Sequence, residues 1–138
     1  MANAKIDRLR NVPLFADCSG RVLEQVATLV DEVDVQAGTV LTREGERGRE
    51  FFVLLSGRLR VEREGREIHR LVPGDFLGEI SLIDGGPRTA TVVADYDSKV
   101  LVVEHHAFNQ LLEAHPMIQM EVLKALARRV RRLEPDAT

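Results

Sequence analysis

The chain has 138 residues, 44% of them apolar, and a formal net charge of −3. That length suits one domain, the apolar share is enough for a core, and the acidic balance excludes broad nucleic-acid binding, which needs a basic face. A single cysteine, Cys18, excludes an internal disulfide, an iron–sulfur cluster and a cysteine-based zinc site, and it favours a reducing cytoplasm.

In chain order, residues 1–32 read as helical. Leu9, Val12, Leu14 and Phe15 form an apolar lead-in around Pro13. Ser19 then stands where a helix N-cap is needed, ahead of Leu23, Val26, Ala27, Leu29 and Val30 at three- and four-residue spacing. No secretory signal is expected, because no apolar stretch follows the first residues. No apolar run approaches the roughly 18 residues of a membrane span.

From 33 to 104 the pattern changes to short β-branched segments broken by Gly, Asp and Pro. Strands are expected over 33–36, 39–42, 51–55, 58–63, 67–72, 91–94 and 99–104, with Glu64-Gly65 as a tight hairpin turn. In the segment 58–63, Leu59 and Val61 face inward while the arginines and Glu62 face water. Such spacing predicts a mainly β fold, an antiparallel jelly-roll β-barrel with flanking helices, and it is too tight for helical crossovers. Helix returns over 105–138. Phe108, Leu111 and Leu112 mark a first helix that ends at His115-Pro116. Ile118, Val122, Leu126, Val130 and Leu133 mark a second, closed by Pro135. The whole of 1–138 reads as one domain.

The chemistry concentrates in "GDFLGEISLIDGGPRTATVVA", residues 74–94. Residues 79–83 fit one helical turn, whose first N–H groups, those of Ile80 and Ser81, face a small anion. Gly78 has no side chain to block the approach. Arg88 follows Glu79 by nine residues, after a Gly-Gly-Pro corner that swings the chain back, and completes a cage for one phosphate. A carboxylate in that cage suits a sugar hydroxyl beside the phosphate. The pair therefore asks for a ribose with a compact, singly charged phosphate near its 2′-OH, which a cyclic 3′,5′-phosphate supplies. Nothing here matches a P-loop lysine or a metal-binding carboxylate cluster for a triphosphate.

Gly78-Glu79-Ile80-Ser81-Leu82, a corner, then Pro87-Arg88-Thr89-Ala90-Thr91-Val92 resembles the phosphate-binding cassette (78–92) of cyclic nucleotide-binding domains. The stretches "NVPLFADCS" and "AGTVLTREGERGREFFVLLSGRLRV" resemble the same family's helical lead-in and first barrel half. The resemblance implies that Glu79 binds the ribose 2′-OH and Arg88 the cyclic phosphate, with Gly78, Ile80 and Ser81 giving backbone contacts. It implies Val61, Leu71 and Leu77 beside sugar and base. Ser81 stands where many members carry Ala, which leaves its N–H in place. The base cap of related bacterial activators, a polar residue on the last helix, corresponds here to the neighbourhood of Leu133 and Glu134. An apolar cap by Val130 or Leu133 is expected instead. Thr89 bears on base choice, since in some members a threonine there bonds guanine, yet others with it respond to cAMP. The implied ligand is cAMP, with cGMP open, and no cofactor.

The four arginines Arg128, Arg129, Arg131 and Arg132 read as solvated charges near a helix C-terminus. His105 and His106 read as pointing apart with no carboxylate at ligand spacing, so no metal site is expected. No nucleophile elbow is present, so no catalytic residue is expected and the chain reads as a sensor rather than an enzyme. It would pass ligand binding through its last helices to an effector or partner. Two alternatives stay open: a non-binding interaction module of the same fold, and the ligand-binding half of a transcription regulator that dimerises through 116–133.

Overall fold

A computed structural model describes residues 2–133, with side chains over 4–132. It opens with α1 (Ala2–Arg10), a 3-10 turn over Pro13–Phe15, and α2 (Gly20–Leu29). Ser19 caps α2 as expected, its Oγ accepting from the Val22 N–H at 3.2 Å. At the other end Lys5 Nζ donates to the carbonyls of Ala27 and Val30, both at 2.6 Å. A cation there satisfies carbonyls that the helix leaves unpaired.

Eight strands follow: β1 (Asp31–Val35), β2 (Val40–Thr42), β3 (Glu50–Ser56), β4 (Leu59–Arg63), β5 (Arg66–Leu71), β6 (Phe76–Leu77), β7 (Thr91–Ala94) and β8 (Ser98–Glu104). They form two four-stranded antiparallel sheets, ordered β1-β8-β3-β6 and β2-β7-β4-β5. This is the β-barrel fold with flanking helices that the strand spacing predicts. Glu64 and Gly65 turn β4 into β5 with φ of 53° and 78°, the left-handed pair that a two-residue hairpin needs. Most strands fall within one residue of their expected bounds, and two of the differences have a visible cause. The strand expected over 33–36 starts at Asp31, because α2 stops at Leu29 and leaves no linker. The strand expected to reach residue 72 stops at Leu71, because Asp75 Oδ2 accepts the Val72 N–H at 2.9 Å and draws it into the turn.

β3 explains why the run 51–55 is apolar throughout rather than alternating. Phe51 and Val53 join a core beneath the helices, with Phe15, Leu23, Val26, Leu101, Phe108 and Ile118. Phe52 and Leu54 join a second core inside the barrel, with Leu59, Leu71, Leu77 and Val92. Both faces of the strand are buried, so both must be apolar. Each such phenylalanine contributes about 1.5–3 kcal/mol from burial.

A short helix, α3 (Glu79–Asp84), interrupts the barrel, and α4 (His105–Ala114) and α5 (Pro116–Leu133) close the chain. His115 breaks between them ahead of Pro116 with φ −133°. On α5 Ile118 and Val122 are buried and Leu126 is partly buried against the same core, but Val130 is 56% exposed. The expected stripe therefore does not hold to its end. Steps of four residues overshoot a turn of 3.6 by about 40° each, so Val130 has rotated about 120° away from Ile118. The side chain of Leu133, and Glu134 and Pro135 entirely, lie outside the described residues. No described helix is long and apolar enough to cross a membrane.

Candidate functional site

The site is built on the β6–α3–β7 stretch. Gly78 adopts φ 95° to turn β6 into α3, a conformation that glycine takes without strain. It is required twice over. A Cβ there would lie 2.6 Å from Arg88 Nη1 and 2.7 Å from the Glu50 carbonyl oxygen. Gly85 ends α3 with φ 72°, and its N–H donates to the Ser81 carbonyl at 3.0 Å. Ser81 Oγ donates to the Pro87 carbonyl at 3.1 Å, which ties the corner back onto the helix. The Gly-Gly-Pro corner thus returns the chain, as the sequence suggests.

Arg88 is then clamped by the loop between β2 and β3. Its N–H donates to the Glu46 carbonyl at 2.8 Å, and its carbonyl accepts from Gly45 at 2.9 Å. Its guanidinium donates to the carbonyls of Gly78 at 3.2 Å and Glu50 at 2.7 Å, and lies over the Phe52 ring. Arg88 is buried, at 7% exposure, and desolvation lowers its pKa without bringing it near neutrality. The side chain passes Gly48 so closely that a Cβ there would fall 1.9 Å from Nε. Gly48 and Glu50 are site residues that the sequence reading missed, since both sit thirty or more positions upstream of Arg88.

Glu79 opens α3 and is fully buried. Its Oε1 pairs with Nη1 of Arg129 on α5, and Oε2 is buried with no partner. Burial pushes the Glu79 carboxyl above its usual 4.5, outweighing the opposing charges of Arg129 and Arg88. Arg129 also donates to the Phe76 carbonyl at 2.6 Å and lies over the Phe76 ring. It is therefore not the solvated charge expected from its cluster. The signal was present: Ile118, Val122, Ala125 and Arg129 stand at i, i+4, i+7 and i+11, one face of a helix.

Of the other expected residues, Val61, Leu71 and Leu77 come together in the barrel interior, Val61 partly buried. Ile80 on α3 is half-buried, and Thr89 is exposed. Val130 is exposed and does not line the cavity beside the site. A cavity of about 220 Å³ lies instead between the β5–β6 turn and α5, lined by residues including His69, Leu71, Phe76, Glu121, Arg129 and Arg132. Where an apolar cap was expected, the described part of α5 presents arginines.

The histidine geometry also departs from expectation. The rings of His105 and His106 do not point apart; their centroids are 3.8 Å apart, next to the Glu104 carboxylate. Helical side chains lean toward the N-terminus, and in the first turn of α4 this carries both rings over the capping residue.

The sequence profile of the cyclic nucleotide-binding domain family matches residues 32–115. An uncharacterized NTE family protein of Mycobacterium tuberculosis is 36% identical over 131 residues, which is 94% of this chain and 22% of that protein. A cGMP-dependent protein kinase of Drosophila melanogaster is 33% identical over 114 residues, 77% of this chain and 12% of that one. Among solved structures, the regulatory domain of Toxoplasma gondii PKA with cAMP superposes with a TM-score of 0.79 at 23% identity, over 91% of this chain and 50% of that one. The chain thus spans about a fifth or less of these curated relatives.

Proposed function

The chain belongs to the cyclic nucleotide-binding domain family, a regulatory fold, and from that premise we propose that it is a sensor domain for cAMP acting through α5. One observation carries the reading. Two buried charged side chains of opposite sign, Arg88 and Glu79, flank Gly78, and Glu79 keeps one buried oxygen without a partner. A buried acceptor left unmade is costly, and a ribose 2′-OH would satisfy it. Arg88, now bonded to two backbone carbonyls, would turn part of its five-donor fork to the cyclic phosphate. The N–H groups of Ile80 and Ser81 and the absent side chain of Gly78 complete the cradle, with Val61, Leu71 and Leu77 against the sugar and base and Thr89 at its rim.

We place cAMP first, the ligand held by the Toxoplasma neighbour. Its competitor is cGMP, named in the Drosophila relative. Glu79 and Arg88 address ribose and phosphate, which the two nucleotides share. The relay follows from Arg129, because the carboxylate that would meet the ribose is already tied to α5. Ligand at Oε2 redistributes the charge that holds α5, and shifts its position by no more than the differential affinity for its two arrangements. The segment would sit in the cytoplasm as a regulatory element, without catalytic residues, cofactor or nucleic-acid contact of its own. A second copy would pair through residues 116–133, by the exposed face Met117, Met120, Leu123 and Val130 rather than by the buried stripe. Nucleotide titration of wild type and Arg88→Ala tests the ligand. Saturable binding that the substitution weakens is expected, and binding indifferent to it would overturn the cassette assignment.

A further inference from the structure

We propose that Glu104, His105 and His106, at the β8–α4 junction, form a zinc-binding site separate from the nucleotide cassette. Each offers one donor atom, and the three lie within 4.8 Å of one another. The Nδ1 of His105 is 2.6 Å from Glu104 Oε1, yet that nitrogen is buried without a properly aligned hydrogen bond. A ring nitrogen shielded from solvent and held against a carboxylate oxygen, with a second imidazole alongside, is a donor set that a cation taking the place of the imidazole proton can share.

The division of labour within Glu104 supports this. Oε2 accepts the His106 N–H at 3.0 Å and caps α4, which leaves Oε1 for the metal. The backbone is fixed as well, since the His105 N–H donates to the Arg49 carbonyl at 2.8 Å. A second observation is independent of the imidazoles. Glu50 on β3 stands directly opposite Glu104 on β8, and like charges directly opposite on a sheet destabilise it. A divalent cation held by Glu104 lowers that cost without taking Glu50 as a ligand, since the clustered donors are those of Glu104, His105 and His106. Two imidazoles with carboxylate suit zinc, leaving water at any open position.

The test is calorimetric titration of the tag-free chain with zinc chloride in a non-chelating buffer, alongside thermal melts with zinc and with EDTA. Wild type is expected to bind one ion per chain and to melt at higher temperature with zinc, because the ion binds only the folded arrangement. His105→Asn/His106→Asn is expected to bind on the order of a hundredfold more weakly, at least what losing an outer-shell partner costs, and to lose the zinc-dependent shift. His69→Asn/His115→Asn, which removes the other two histidines, is expected to behave as wild type. No zinc binding by wild type, or equal binding by both double variants, would overturn the site. All four histidines lie in half-buried or exposed positions, so both variants fold.

Discussion

Replacing Arg129 by alanine removes the partner of a carboxylate that has no access to water. Glu79 is fully buried, Oε2 is already unpaired, and Arg129 holds Oε1 while also bonding the Phe76 carbonyl. Breaking a buried pair from one side costs about 3–5 kcal/mol. The Arg129 side chain is 30% exposed, so water reaches part of the vacated space, and the expected loss is about 2–3 kcal/mol at pH 7. Glu79 has an escape, which is to take up a proton. Burial already holds its pKa above 4.5, and losing Arg129 raises it further. The folded state therefore binds this proton more tightly than the unfolded chain. The contribution of Glu79 is full below 4.5 and is lost as pH rises through the folded value. The loss on Arg129→Ala consequently shrinks as pH falls toward 4.5. Urea unfolding of wild type, Arg129→Ala, Glu79→Gln and the double variant, at pH 7 and pH 5, measures this. The double variant should recover a large part of the loss, a coupling of about 1–3 kcal/mol. Equal losses with and without Glu79→Gln, flat in pH, would refute the pairing and leave Arg129 as mere cover for Phe76.

Four further outcomes follow from the same geometry. Arg88→Ala should cost about 2–4 kcal/mol of cyclic nucleotide affinity, as truncating one buried charged partner does, measured by titration. Gly48→Ala, which touches no expected ligand atom, should also weaken binding, because its Cβ would overlap Arg88 Nε; unchanged affinity would show that Arg88 moves freely. Glu79→Gln should weaken cAMP more than 2′-deoxy-cAMP, and lowering pH through the raised Glu79 value should weaken only the ribonucleotide. Sedimentation velocity should show wild type self-associating through the proposed face of α5 and Leu123→Glu as a monomer, and a monomeric wild type would remove that interface.

Much of this was legible in local pattern. Ser19, Glu64-Gly65 and His115-Pro116 punctuate the chain where backbone chemistry demands it, and each falls at the expected boundary. The cassette was legible because its parts lie within fifteen residues of each other. What escaped was non-local or sat on a drifting helix. Gly48 and Glu50 join the site only after the barrel folds. Arg129 was hidden in a run of arginines, where charge suggested solvent and only the i+7 and i+11 spacing to Val122 and Ile118 pointed inward. Val130 failed for the converse reason, since spacing by fours rotates off the buried face. His105 and His106 failed because the helical wheel does not describe how first-turn side chains fold back over a cap.

The most direct test of the sensor reading is calorimetric titration of nucleotide-free protein with cAMP, with cGMP and 5′-AMP in parallel. Saturable one-to-one binding of a cyclic nucleotide is predicted, cAMP tighter than cGMP and 5′-AMP far weaker, because a single buried arginine suits a compact, singly charged phosphate better than a dianionic one. No heat and no thermal stabilisation with either cyclic nucleotide would contradict it, and would leave the buried Glu79–Arg129 pair as a structural tie between barrel and helix.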